Sequence, residues 1–432
     1  MKILVITSHY PPYHLGGYEI RGRDVVEGLA RQGHEILVVT SRESADAQAT
    51  GSRTGYTVLR MLRIRGMREG LSDRLARRRG THSLGMLLTF TRELLFDLQD
   101  LAVIDALNRR IRPDLIYLGH VTPLSKSVVP YLAGLQTPLL YDEGCSGLID
   151  CWTAKNIWYK FTDEIVPGHF VVKGLKSFVV GVIGRLSGGR LKPRWAWPAN
   201  MHVFFNDELG LRNAVAHGVP VSSAKVVYSG VDTEKFRFRP RLRLSVPVKI
   251  IVPGRFEARK GQVDAVRLVA ELGRRGMEAE AVLVGAVWSD SYHRELTAEI
   301  SRLGLEDKVR LLQMVTQGEL AGLYQVADIC FFPSYFRTGF SRVPLEAMAS
   351  GCITISYGNE GSDEIIRDGQ TGFLVPCAGF ERIAGLVNEL RSDPGRLNGI
   401  ARAARSEIEA RFSLDRYVDS IEQLVMNAVE AT

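Results

Sequence analysis

Residues Val248–Gln262 read VKIIVPGRFEARKGQ. Val248–Pro253 is an apolar run of strand length, closed by Gly254. Two cations, Arg255 and Lys260, stand in the loop that follows, and a helical pattern then continues to about Arg275. The next strand-like run is Glu280–Gly285, with others at Lys308–Leu312, Ile329–Pro333 and Cys352–Ser356, each separated by a helical pattern. Strand and helix in alternation predict a parallel sheet with helices on its faces.

The same unit begins the chain. Ile3–Thr7 reads as a strand, and the loop SHYPPYHLGG follows. A helical pattern runs from about Tyr18 to Gln32, with Val25, Val26, Leu29 and Ala30 on its inner side and Gly33 where a helix-ending glycine belongs. Glu35–Thr40 is the next strand. The expected class is therefore α/β, with two Rossmann-like, doubly wound parallel-sheet domains in tandem. A chain of 432 residues is long for one core and comfortable for two. The join falls near Val231–Val246, where RFRPRLRLSVP is basic, carries two prolines and reads as a linker. The expected bounds are 1–235, 236–412 and a last helix within 413–432 that has no sheet of its own.

Composition narrows the class of partner. The net charge of +7 favours anionic partners such as nucleotides, phosphates, nucleic acid or acidic lipid, without choosing among them. Five cysteines at wide spacing, none in a CxxC pair, supply neither a zinc framework nor a disulfide scaffold, and a reducing cytoplasm is the expected location. The first apolar run is too short for a signal-peptide core. The stretch nearest to a membrane span, His169–Leu186, is broken by Lys173, Lys176 and Arg185. Two segments leave surface attachment to the inner face of a membrane open. Residues 60–80 hold eight arginines, and 156–197 mix aromatic, apolar and basic residues. Both also read as solvated or domain-packed helices.

Three motifs carry chemistry. In PSYFRTGFSRVPLEAMASG (Pro333–Gly351) a strand end and a glycine turn lead into a helix. The helix start, with the amides of Phe340, Ser341 and Arg342 directed outward, suits a phosphate. Glu346, further along that helix, can accept two ribose hydroxyls. In PGRFEARKGQ, Arg255 offers a planar fork and Lys260 a point charge, a pair suited to a diphosphate. The Gly16–Gly17 pair after the first strand permits close backbone approach to a ligand. Each motif has a plain structural reading too: a strand–helix corner, a solvated basic loop, helix punctuation. No GxGxxG is present, and the second strand ends without an acid (Val39, Thr40, Ser41).

Taken together and in order, these pieces resemble the family 4 glycosyltransferases over nearly the whole chain. The matching stretches are PPYHLGGYEI with LARQGHEILVVTS, KVVYSGVDTEKF, PGRFEARKGQ, LGLEDKVRLL, LAGLYQVADICFFPS, GFSRVPLEAMASGC and DEIIRDGQTGFLVP. Residues 43–200 match weakly. The resemblance implies a GT-B fold, with two domains facing a central cleft and the last helix crossing back to the N-terminal domain. It implies that Arg255 and Lys260 hold the diphosphate of a UDP- or GDP-type donor and that Glu346 holds its ribose. Gly16 and Gly17 would face the donor phosphates. The donor loop would comprise Thr338, Gly339, Phe340, Ser341 and Arg342. His120, after the strand Asp114–Leu118, is the candidate for contacting the sugar or the acceptor.

Two positions depart from the family pattern. The family carries a first glutamate just before GF, and this chain has Thr338 there. At PLLYDEGCS, where members often place His-Asp, it has Gly144 and Cys145. The activity implied is retaining hexosyl transfer to a sugar, lipid-linked or small-molecule acceptor, in polysaccharide, glycolipid or natural-product glycoside synthesis. It would need no metal or other cofactor, since there is no DxD and two cations stand ready for the diphosphate. The competing readings are an epimerase or hydrolase of nucleotide sugars and a non-catalytic binding subunit. Nucleic-acid binding has charge alone in its favour, with no interleaved aromatics.

Overall fold

The computed structural model describes residues 1–12, 16–42, 51–53, 55–64, 82–121, 123–125, 127–144, 147–153, 178, 181–182, 184–191, 196–337 and 339–431, with backbone only for 51–53 and 82–91. Thr338, Cys145 and most of segments 60–80 and 156–197 lie outside the described residues. The chain divides into two compact units. Unit 1 comprises Met1–Asn206, Gly210–Val227 and Val418–Thr432, and unit 2 comprises Asp207–Leu209 and Tyr228–Tyr417.

Unit 1 is built on strands β1 (Lys2–Ile6), β2 (Glu35–Ser41), β3 (Gly51–Arg53), β4 (Tyr56–Leu62), β5 (Leu115–Leu118), β6 (Leu139–Glu143), β7 (Met201–Phe205) and β8 (Lys225–Val226). Their order is β3-β4-β2-β1-β5-β6-β7-β8, and every pairing is parallel except β3 with β4. β1 lies between β2 and β5, with Ile3 opposite both Ile36 and Leu115. Burial on both faces accounts for the unbroken apolar run of β1, in which Leu4 and Ile6 are fully enclosed. Among its helices are α1 (Gly17–Arg31), α2 (His82–Ile111), α3 (Val128–Leu132), α4 (Gly147–Thr153) and α5 (Glu208–Ala216). Leu118, Leu139 and Phe205 extend the core across the sheet. The last helix, Leu414–Glu430, gives unit 1 its residues from Val418 onward. There Asp419 accepts from Gln32 at 3.0 Å, and Glu422 lies 3.3 Å from His34.

Unit 2 contains β9 (Val248–Pro253), β10 (Ala279–Val284), β11 (Val309–Leu312), β12 (Ile329–Phe332), β13 (Ile353–Ser356) and β14 (Phe373–Leu374). All are parallel, in the order β11-β10-β9-β12-β13-β14. The order reverses between β9 and β12, and the crevice at such a reversal is where open α/β sheets take ligands. Its helices are α6 (Gln262–Arg274), α7 (Asp290–Arg302), α8 (Gln317–Val326), α9 (Val343–Ser350), α10 (Ser362–Ile365), α11 (Phe380–Ser392) and α12 (Pro394–Arg411). On α6, Val263, Val266, Val269 and Leu272 recur at helical spacing and are buried, whereas Arg267 and Arg274 face water. Each such side chain is worth about 1.5–3 kcal/mol of burial. α8 starts at a capping box, in which Thr316 accepts from the Glu319 amide and Glu319 accepts from the Thr316 amide.

The strands expected from the sequence are present, with ends shifted by a residue or so. The stretch read as a linker is different: it packs on unit 2. Arg241 is 4% exposed and donates to the carbonyls of Gly351, Tyr324 and Gln325 at 3.1, 2.8 and 3.0 Å. A run of cations looks solvated in sequence, but here one guanidinium satisfies the open carbonyls at two helix ends.

Candidate functional site

The switch point of unit 2 gathers three loops. After β9 comes a short 3-10 turn, Ala258–Lys260. Gly261 ends it at φ 67°, and a Cβ there would lie 2.1 Å from the Pro333 carbonyl oxygen. Only glycine lets this turn press against the end of β12, and the contact sets Lys260 at the reversal. The Lys260 Nζ lies 2.6 Å from both carboxylate oxygens of Glu360. Its stem runs beside Gly254, and the Phe332 ring centroid is 5.9 Å from Nζ. Arg255 donates to Glu257 at 3.0 Å, as does Arg259. The Arg255 guanidinium also stacks 4.5 Å from the ring centroid of Trp288, a half-exposed indole in the loop after β10.

The loop after β12 corrects one expectation. The helix α9 begins at Val343, so Phe340, Ser341 and Arg342 precede it and do not form its first turn. The Ser341 amide donates to the Glu360 carbonyl at 3.0 Å and is therefore not offered outward. Pro344 in the first turn starts the helix later than the glycine suggested. Gly339 precedes this loop at φ 85°, and the Phe340 ring packs 5.5 Å from that of Tyr228. Glu346 lies in the first turn of α9, 5% exposed, with Arg342 Nε at 3.5 Å and the Tyr324 hydroxyl donating at 3.4 Å. A carboxylate at a helix start is favoured by the macrodipole. Arg255, Lys260, Gly339–Arg342 and Glu346 thus belong to one sheet end. Glu360, Glu257 and Trp288 were not singled out from the sequence. Glu360 follows its strand among glycines, and nothing in the spacing marks it as facing Lys260.

The order of unit 1 reverses between β1 and β5, and His9 and His120 follow those two strands. Ser8 Oγ lies 3.1 Å from His9 Nδ1 and 3.3 Å from His120 Nδ1, bridging the two imidazoles. Burial pushes the pKa of both histidines down to about 4, and for His120 the charges of His9 and Arg21 add to the effect. Glu19 Oε1 lies 4.0 Å from His9, while Oε2 accepts the Gly16 amide at 3.0 Å. Gly16, at φ −172°, therefore caps α1, and Gly17 is the first residue of that helix. His9, Glu19 and His120 are the described group whose ligand atoms, all within 4.8 Å of one another, have metal-like spacing. Ser8 links its two histidines by hydrogen bonds, and Glu19 stands beside His9.

His120 also packs against Tyr18, with ring centroids 4.8 Å apart. Arg21 lies over the same Tyr18 ring, 4.2 Å from its centroid, and pairs with Asp142 at 2.7 Å. Tyr117 and Asn206 donate to the same carboxylate. This packing explains one departure in the sequence. A Cβ on Gly144 would lie 2.3 Å from the Tyr18 ring, so the position beside Asp142 has room only for glycine.

With two parallel-sheet units of these orders, the chain has a GT-B fold, as the solved structures similar to it show. HepE of Anabaena in complex with UDP superposes with TM-score 0.65 at 20% identity, covering 99% of this chain and 100% of that one. Sucrose-phosphate synthase of Thermosynechococcus elongatus does so with TM-score 0.70 at 18% identity, covering all of both chains. Residues 233–407 match the family model described as glycosyl transferases group 1. Among curated relatives, the D-inositol 3-phosphate glycosyltransferase of Streptomyces bingchenggensis is 30% identical over 46% of this chain and 47% of its own. An uncharacterized glycosyltransferase of Methanocaldococcus jannaschii is 25% identical over 96% of this chain and 95% of its own. For most of these curated relatives the chain spans about half of their length. No described helix is long and apolar enough to cross a membrane.

Proposed function

We propose that the chain is a glycosyltransferase that uses a nucleoside-diphosphate sugar and transfers the sugar to an acceptor hydroxyl with retention. The observation that carries this reading is the placement of Lys260 and Arg255 at the reversal of the unit 2 sheet, where a diphosphate meets two cations in the loop after β9. Glu346, fixed at the start of α9, is the acceptor for the ribose hydroxyls. The bond that breaks joins the anomeric carbon to the β-phosphate oxygen. The acceptor oxygen bonds to that carbon from the same face, its proton passes to the departing phosphate, and the products are a glycoside and the nucleoside diphosphate. Lys260 and Arg255 stabilise the charge that grows on the leaving group, so no metal is assigned. A hexose is the expected sugar, and a saccharide, lipid-linked or small-molecule hydroxyl is the expected acceptor. The switch point of unit 1, with neutral His120, is the assigned acceptor side.

A thermal-shift screen of UDP-, GDP-, ADP- and TDP-sugars tests the donor. A ligand at 100 times its Kd adds about 2.7 kcal/mol to the native state, so one series should raise the midpoint clearly. No response to any of the four, or full transfer activity in Lys260→Ala, overturns the proposal.

A further inference from the structure

Glu360 sits where a carboxylate works against the task just assigned to its neighbour. It is 6% exposed, and its backbone takes φ 52°, a left-handed conformation that strains a non-glycine residue. Three contacts hold it there. Both carboxylate oxygens lie 2.6 Å from Lys260 Nζ, Oε1 also accepts from the Ser334 hydroxyl at 2.9 Å, and the backbone carbonyl accepts from the Ser341 amide. Asn359, one residue earlier, ties the loop to the Ser334 carbonyl at 2.7 Å. The loops after β9, β12 and β13 therefore meet on this one residue.

The charges at the switch point show what it does. Glu257 takes Arg255 and Arg259, and Glu360 takes Lys260. Around the loop after β9, three cations thus face two anions, and the lysine is half of a close pair. A diphosphate entering this site must share Lys260 with a carboxylate that burial and strain keep in place. A bare nucleoside diphosphate, with its free terminal phosphate, carries up to one negative charge more than its sugar ester at neutral pH, so a fixed carboxylate opposes the bare form more strongly. The sugar ester brings hydroxyls in place of that charge. Among the described residues Oε2 receives only Lys260, which leaves acceptor capacity for a hydroxyl.

Resting on the donor-site reading above, we propose that Glu360 is a specificity-determining residue, one that selects the sugar-bearing nucleoside diphosphate over the bare one and so favours release of the spent nucleotide. Calorimetric titration of the full chain with UDP and UDP-glucose, and with GDP and GDP-mannose, tests this. Glu360→Gln should tighten the bare diphosphate and not the sugar ester, shifting the ratio of the two Kd values by about ten-fold, the size of one partly screened charge contact. Glu360→Gly suits the left-handed backbone and removes the carboxylate, so it should show the same shift even if the glutamine variant fails to fold. Equal changes for both ligands, or no change, in a well-folded variant overturn the assignment of Glu360 alone. Where the wild-type chain binds neither pair, ADP and TDP are titrated with their glucose esters in the same way; a chain that binds none of the four pairs overturns the donor-site reading, and this assignment with it.

Discussion

The two sheet reversals are built alike and charged differently. In unit 1, His9 and His120 are bridged by the Ser8 hydroxyl, and burial keeps both rings neutral with pKa values near 4. In unit 2 the loop after β9, one of the two strands at the reversal, carries Arg255, Arg259 and Lys260, each in contact with a glutamate. A neutral, hydrogen-bonded end can handle hydroxyls without attracting stray anions, whereas a cationic end suits a diphosphate. The fold supplies the same kind of crevice twice, and under the proposed function the residues at each strand end set which half of the transfer it would serve.

The largest expected effects separate the two ends. Lys260→Ala should lower kcat/KM by about 100-fold or more, as removal of one contact to the growing charge costs on the order of 3 kcal/mol, and should abolish the thermal shift with nucleotide sugar. His120→Ala should leave nucleotide affinity within about two-fold while transfer falls, within the range of about 10²–10⁴ seen for lost acid–base or positioning groups. Nucleotide affinity that collapses equally in both variants would erase the division of labour. Glu346→Gln comes next: loss of a charged acceptor should weaken nucleoside diphosphate binding by about ten-fold or more, at roughly 1.5–3 kcal/mol per such hydrogen bond, measured with the diphosphate and the diphosphate sugar alike.

Acid should weaken unit 1 through its histidines. Folded His9 and His120 titrate near 4, while unfolded histidine titrates near 6.5. As pH falls below about 6.5 the unfolded chain takes up protons that the folded chain refuses, so stability is full above that value and is lost toward about 4. Melting temperatures measured across this window should fall less steeply in a His9→Asn, His120→Asn double variant, and an unchanged slope would mean the rings are solvated. The smallest effect should be that of Gly16→Ala. Its backbone is extended, and nothing lies within 4 Å of the added carbon, so stability should move by no more than about 0.5 kcal/mol. A rise in donor KM without loss of stability would show that this glycine serves a ligand. Gly144→Ala makes the contrast, because its added carbon meets the Tyr18 ring at 2.3 Å and should cost about 1–3 kcal/mol.

The placement of the candidate residues was legible in parts. Arg255 and Lys260 could be found because a strand, a glycine and two cations lie within fifteen consecutive residues. Glu346 could be found because it follows a strand, a turn and a proline-started helix. The partners of these residues could not: Glu360 lies 100 positions from Lys260, and only sheet order brings the loops after β9 and β13 within reach of each other. The Ser341 amide differs from expectation for a related reason, since the carbonyl that occupies it comes from that distant loop. The segment near Arg241 misled through its charge, which the sequence cannot distinguish from solvated charge until the helix-end carbonyls of Tyr324 and Gly351 are placed beside it.

What the sequence determined by itself is the alternation of strand and helix, hence two doubly wound sheets, and the kinds of group at their carboxyl ends. Those follow from local periodicity and from turn chemistry within a dozen residues. Tertiary structure alone decided how the charges are shared: that Lys260 is paired with Glu360, that Glu257 holds two arginines, and that Ser8 joins two histidines into one neutral cluster. Ion pairs and hydrogen bonds depend on distances of about 3 Å, and parallel crossovers set those distances between residues that the chain itself keeps far apart.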